Sequence, residues 1–277
     1  MYQETLDLVA HSARIKSRLC SSNLVAYLLH SAMAGVYLGF GVVLVFSLST
    51  AFFKAQSPAL SLVMGTTFGI ALSLVVIAGA DLFTGNTMIM LVGRLKGITS
   101  SADLAKVWFW SYVGNFLGAL LLAFFAYQAE IILDPSWLLT VAAKKMNGSW
   151  LTLFLKGILC NWLVVLAVWC GFRLKTEAAK LMMIWWCLLG FVGSGYEHSI
   201  ANMTLLTLAN FLPNEGGYAI SWSGLLHNLI PVTLGNIVSG VLFMALPYCF
   251  INSFKSASKE EPSSDLASKR PTYREAT

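Results

Sequence analysis

The chain has 277 residues, of which 57% are hydrophobic and only 11% charged, and its mean hydropathy is +0.71. A soluble domain carries roughly 25% charged residues, so this composition excludes an ordinary soluble enzyme and reads as an integral membrane protein. The net charge of +5 belongs to the loops and ends and gives no reason to expect a nucleic-acid partner.

Residues 1–23 contain Glu4, Asp7, Arg14, Lys16 and Arg18. They lack a short apolar core with a cleavage site, so they read as a cytoplasmic N-terminal segment and not as a cleaved signal peptide. Six apolar segments follow, near 24–53, 58–93, 107–128, 151–172, 181–212 and 222–250. One span needs about 20 apolar residues. The second and fifth are too long for a single straight helix, and each is interrupted around one carboxylate: Asp81 in "GADLFTGNT" and Glu197 in "FVGSGYEHSIANM".

The interruptions repeat. Asp81 and Glu197 are 116 residues apart, as are Gly79 and Gly195, and Asn86 and Asn202. "YVGNFLGALL" at 112–121 returns as "TLGNIVSGVL" at 233–242, with the Gly-Asn pairs 121 residues apart. This predicts two three-helix repeats, 24–128 and 151–252, joined by a periplasmic connection at 129–150. An odd number of spans per repeat inverts the second half. All Lys and Arg except Lys54, Lys144, Lys145 and Lys156 then fall on one side, which the positive-inside bias makes cytoplasmic, with both termini. Residues 253–277, rich in Ser, Pro, Lys and Glu, read as a disordered cytoplasmic tail. The expected fold class is an all-α integral membrane protein with six transmembrane helices in an inverted 3+3 repeat.

A helix is broken at membrane depth only where the freed backbone groups are buried in protein or line a cavity. Transporters built from inverted repeats aim such half-helix N-termini, which carry about half a positive charge, at the substrate. Gly193, Ser194 and Gly195 permit the break, and His198 can offer a proton or a hydrogen bond at the centre. The GxxxG spacings Gly35/Gly39 and Gly114/Gly118 favour close helix approach. His30 and His227 read as structural. Five scattered cysteines without CxxC and the absence of HExxH or paired histidines point to no metal and no cofactor.

"DLFTGNT", "KGILCNW", "GYEHSIANM" and "NLIPVTLGN", in this order over residues 10–252, resemble the formate/nitrite transporter family, and "CNWLV", "IWWCLL" and "GYEHS" are more similar to its nitrite branch. The resemblance implies an aquaporin-like fold, a homopentamer with one pore per protomer, and a channel or proton-coupled permease for small monovalent anions, nitrite first, in a bacterial inner membrane. It implies that His198 is the central pore histidine and Thr84 the threonine facing it. Leu82, Phe83 and Val164 would form one hydrophobic slit; Phe68, Leu72 and Phe191 would form the other, on the cytoplasmic side. Asn161, Glu197 and Asn202 would brace the centre, Lys145 would lie in the outer vestibule, and Asp81 stands where many members have Glu. Partners would be the anion, protons and the lipid bilayer. The alternatives are a formate or hydrosulfide channel of the same family and, further away, two others. A water or glycerol facilitator would carry paired Asn-Pro-Ala motifs, which are missing. An intramembrane enzyme would need a nucleophile or metal set beside Glu197 and His198.

Overall fold

A computed structural model describes residues 2–257. An amphipathic helix, α1 (Gln3–Ser22), precedes the first long helix, α2 (Leu24–Lys54), which Asn23 caps. The chain re-enters through α3 (Leu60–Thr67) and α4 (Gly69–Leu74), continued by a π-helical turn at Val75–Gly79. After a break, the half-helix α5 (Phe83–Leu95) leads to α6 (Ser101–Gln128), which opens with a Ser100–Asp103 capping box. The connecting helix α7 (Ser136–Met146) is followed by α8 (Trp150–Arg173) and α9 (Glu177–Gly193). A second break precedes the half-helix α10 (Ser199–Phe211). The last crossing, α11 (Trp222–Val238), passes through a π-helical segment, Ser239–Ala245, into α12 (Leu246–Ala257).

Five helical runs among the described residues are long and apolar enough to cross a membrane: α2, α6, α8, the run Leu60–Gly79 through α3 and α4, and the run Trp222–Ser253 through α11 into α12. The remaining crossing expected at 181–212 is shared between α9, of 17 residues, and α10, of 13. At 1.5 Å per residue α9 spans only about 25 Å, short of a hydrocarbon core of about 30 Å, so the break at Ser194–His198 lies inside the protein. At the C-terminal end α12 keeps residues 253–257 helical; the rest of the 253–277 stretch, expected to be disordered, lies outside the described residues.

Two pairs of long helices hold the frame, and each meets through glycines. A Cβ on Gly118 of α6 would lie 1.9 Å from the Ala32 carbonyl oxygen of α2, and one on Gly35 would lie 2.0 Å from the Asn115 carbonyl oxygen. In the second half a Cβ on Gly235 of α11 would lie 2.2 Å from the Phe154 carbonyl oxygen of α8. These crossings are backbone on backbone, so no side chain can move aside. Tyr112 and Thr233, which correspond to one another in the repeat, share a 3.0 Å hydrogen bond. Two equivalent residues can touch only on the pseudo-twofold axis, which places that axis between α6 and α11. At the Lys54 end of α2, an ion pair with Asp134 ties the helix to the loop before α7. The Lys54 ammonium holds the Asp134 carboxyl down from 3.8 to about 2. Its contribution is therefore complete above the ordinary aspartate range and is lost as pH falls through about 2.

Gly118→Val should force α2 and α6 apart. Overpacking costs roughly 1–3 kcal/mol even where side chains can yield, so the melting temperature in detergent should fall by at least about 3 °C, or the protein should fail to accumulate. Gly171→Ala, where nothing lies within 4 Å of the added Cβ, should match or exceed the parent in the same fluorescence-detected thermal assay.

Candidate functional site

Both breaks are built alike. Gly79 and Gly195 have φ of +81° and +69°, a region that side chains with a Cβ rarely occupy. The residues capping the two half-helices, Leu82 (φ −102°, ψ 122°) and His198 (φ −106°, ψ 114°), share one extended conformation. Each break strands backbone groups, and one buried asparagine per half collects them. Asn115 of α6 accepts from the Phe83 N–H (2.9 Å) and donates to the carbonyls of Ser31 (2.7 Å) and Asp81 (2.8 Å). Asn236 of α11 accepts from the Ser199 N–H (3.1 Å) and donates to the carbonyls of Gly157 (2.8 Å) and Glu197 (3.2 Å).

The carboxylates follow the same plan. Asp81, fully buried, pairs with Lys16 of α1 at 2.9 Å and accepts from Asn86. Glu197 pairs with Lys145 of α7 at 2.8 Å and accepts from Asn202 at 2.7 Å. Each carboxylate therefore has a lysine from a peripheral helix and an asparagine five residues on. This makes α1 and α7 counterparts in the repeat, although α1 lies outside the 24–128 unit read from the sequence.

Thr84, in the first turn of α5, and His198, at the N-terminus of α10, meet at the centre. The His198 Nε2 lies 3.2 Å from the Thr84 Oγ1, and its Nδ1 accepts from the Ala201 N–H at 3.2 Å. Because Nδ1 is an acceptor, the neutral ring carries its proton on Nε2 and donates it toward Thr84. Asn161 of α8 spans the joint, donating to the Asn236 carbonyl (2.7 Å), the Thr87 hydroxyl (3.2 Å) and the Thr84 carbonyl (3.3 Å).

A cavity of about 410 Å³ opens on the Lys144–Lys145 face and runs inward to His198, past Lys156, Tyr196, Phe68 and Phe191. A far smaller space, about 10 Å³, lies beyond it, enclosed by Leu72, Leu82, Val164 and Leu188 and sharing Phe68, Phe191 and His198 with the first. The Phe68 and Phe191 rings meet edge-on at 5.8 Å, and Phe191 stacks on His198 at 5.8 Å.

Three expectations change here. Phe68, Leu72 and Phe191, expected together in a cytoplasmic slit, do line one small space, but Phe68 and Phe191 also face the large cavity on the Lys145 side. The helices explain this: α3 enters from that side at Leu60, so Phe68 is only about 12 Å in at 1.5 Å per residue, and Phe191 is near the inner end of α9, which enters from the opposite face. Leu72, one turn deeper, groups with Leu82 and Val164. Phe83, expected in a slit, packs edge-on against Tyr112 at 4.9 Å and lines neither cavity, because it stands at the first turn of α5, against α6. Lys145 lines the large cavity, but its ammonium is occupied by Glu197. Sequence reasoning missed the roles of Asn115 and Asn236, although their Gly-Asn repeat marked them. It also missed Lys16, 65 residues from its carboxylate, for which no local motif exists.

Removing one partner of a buried ion pair leaves an uncompensated charge. Glu197→Gln and Lys145→Met should each lower stability, by about 3 kcal/mol. The double variant Lys145→Met/Glu197→Gln should lose less than the sum. A thermal-denaturation double-mutant cycle reads the coupling, and strict additivity would mean that the pair braces nothing.

The family model described as "Formate/nitrite transporter" matches residues 3–250 of the chain. The nitrite transporters NirC of Salmonella typhimurium and Escherichia coli are 42% and 43% identical to it, each covering 90% of this chain and 92% of the relative. Among solved structures, an "FNT family ion channel" superposes with a TM-score of 0.84 at 42% identity, covering 89% of this chain and 98% of that one. A "pentameric formate channel with formate bound" gives 0.72 at 28% identity, covering 82% and 97%. The chain is a multi-pass helical membrane protein of the formate/nitrite transporter family, a family of channels and transporters and not of enzymes.

Proposed function

We propose that this protein conducts nitrite across a bacterial inner membrane, one pore per protomer of a homopentamer, in a form electrically close to the neutral acid. The observation that carries the reading is the juxtaposition of His198 and Thr84 between an aromatic constriction and an aliphatic one, at the meeting point of two half-helix N-termini. The relatives named as nitrite transporters supply the substrate, and the pentameric formate channel supplies the assembly. Formate is the second substrate, because its size, charge and acid strength are similar. Lys54, Lys144 and Lys145 mark the periplasmic face.

Moving a bare carboxylate-sized anion into a medium of low dielectric costs of order 20 kcal/mol in the idealised limit, and several after relaxation. An acid whose pKa lies roughly three to four units below neutral costs about 4–5 kcal/mol to protonate, at about 1.36 per unit. Protonation is the cheaper route through the slits. His198 serves it best as a neutral donor. Its Nε2–H can turn from Thr84 to the anion, and Thr84 can support it. Protonating Nδ1 would set two N–H groups against each other at the positive end of α10. The transferred proton therefore comes from the outer bulk solvent as hydronium, relayed through the water in the cavity, so that no hydroxide is left beside the acid. Phe68 and Phe191 select by size and desolvation on the outer side, and Leu72, Leu82 and Val164 on the inner. Asn161, Asn202, Asp81 and Glu197 keep the two half-helices in place.

His198→Asn tests this in proteoliposomes. Losing a hydrogen bond to a charged partner costs about 1.5–3 kcal/mol, so nitrite flux should fall at least roughly tenfold. The residual flux should keep the wild-type rise with external acidity, because the proton comes from the solvent and not from the ring. A pH dependence that disappears in the variant would assign the proton to His198. Unchanged flux would make His198 a structural cap only.

The aromatic constriction has its own test. Phe68→Ala and Phe191→Ala should raise lactate flux relative to nitrite while nitrite flux persists. An unchanged ratio in both variants would reduce these rings to packing.

A further inference from the structure

The large cavity contains an ammonium that no carboxylate neutralises at the level of the gate. Lys156 lies six residues past the start of α8, about 9 Å along a helix that crosses the membrane. Its carbonyl accepts from the Glu197 N–H at 3.3 Å, so its backbone stands level with the residue before His198. It is half-buried, lines the same cavity as His198 and Tyr196, and makes no ion pair or side-chain hydrogen bond among the described residues. Lys145, by contrast, is held by Glu197 at 2.8 Å.

An unpaired lysine within a membrane-crossing helix is costly, and such residues mark ion pathways. α8 could turn a methylene side chain to this wall at no such cost. The surroundings also favour an anion: the carboxylate nearest to hand, Glu197, already accepts from Lys145 and Asn202, which leaves the Lys156 charge uncancelled.

We infer that Lys156 is the capture residue of the outer cavity, holding a small monovalent oxyanion such as nitrite or formate immediately before the Phe68–Phe191 constriction. The anion waits there as an ion, paired with the ammonium, until it is protonated and passes the rings. This divides the work of the vestibule: Lys145 braces the second break, and Lys156 binds. The inference rests on the anion-permeation reading above but concerns a separate step.

Two readouts on the full-length protein keep the two apart. The first is the concentration dependence of nitrite flux into proteoliposomes for the wild type, Lys156→Met, Lys156→Gln and Lys156→Arg. An ammonium within about 4 Å of an anion is worth enough at intermediate dielectric to shift half-saturation roughly tenfold. The Met and Gln variants should show that shift with maximal flux retained, and Arg should restore the wild-type value. The second readout needs no transport. Sodium nitrite, against sodium gluconate at equal ionic strength, should raise the melting temperature of the wild type and of Lys156→Arg but not of the two neutral variants. Wild-type half-saturation and wild-type nitrite stabilisation in both neutral variants would overturn the assignment, as would a loss that Arg does not restore. A wild type that is stabilised by nitrite but transports neither nitrite nor formate would refute the proposed function and leave the capture site standing. No stabilisation and no flux would refute both.

Discussion

Everything in this fold depends on satisfying backbone groups that two broken helices release inside a membrane. Lipid offers no hydrogen bonds, and each orphaned polar group there costs several kcal/mol. Asn115 and Asn236 meet that demand with the same three contacts in each half: one accepted from the first N–H of a half-helix, one donated to a carbonyl at the break, and one donated to a carbonyl of the neighbouring long helix. The glycines that bring the long helices into backbone contact follow from this. An asparagine side chain reaches the Ser31 or Gly157 carbonyl only if the neighbouring helices touch, and Gly118 and Gly235 allow that touch. The ion pairs follow as well, since Asp81 and Glu197 sit at the breaks and need lysines from α1 and α7.

The scaffold obeys the pseudo-twofold and the pore does not. With an offset of 116 residues, His198 corresponds to Leu82, so one half-helix begins with an imidazole and the other with an aliphatic side chain. Phe68 and Phe191, which meet at one constriction, correspond to Ile184 and Val75. The aromatic ring pair is therefore built only on the Lys145 side, and the inner constriction is aliphatic. Inverted repeats give two equivalent half-sites, and differences at these three corresponding pairs are enough to make the path directional in structure. The charges are also asymmetric. Lys16 and Lys145 are matched braces, whereas residue 30, which corresponds to Lys156 through the same carbonyl contact to the break, is a histidine.

Much of this was legible in the sequence because the constraint is local. A membrane chain cannot hide a carboxylate in an apolar run, so Asp81 and Glu197 located the breaks, and the positive-φ glycines ahead of them confirmed the pairing. The GxxxG spacings likewise announced the α2–α6 crossing. The misreadings have physical causes. The slit assignments fell short on depth: Phe68 and Leu72 are four residues apart on one face and line the small space together, and only the helix's entry side decides that Phe68 also reaches the large cavity and Leu72 does not. Phe83 failed on direction, because the first residue of a half-helix can face either the path or the neighbouring helix, and Tyr112 decides it. Lys16 was invisible because long-range ion pairs leave no spacing in sequence. The repeat could have found it, had Lys145 been matched to a partner as soon as Glu197 was matched to Asp81.

The electrostatic design then resolves into two separate demands. A pore that admits an anion needs positive charge, yet a full cation at the narrowest point would trap the ion or exclude its neutral form. The structure separates these demands along the path. Formal charge stays in the wide cavity, on Lys144, Lys156 and the Lys145–Glu197 pair. At the constriction only partial charges remain: the Nε2–H of His198, the Thr84 hydroxyl and the N-termini of α5 and α10. Partial charges stabilise an anion enough to bring it to the rings, and they leave little behind to hold the acid once it is neutral. A lysine in place of His198 would deepen the well at the centre and slow release, which is why the ammonium belongs in the outer cavity and a neutral ring belongs at the gate.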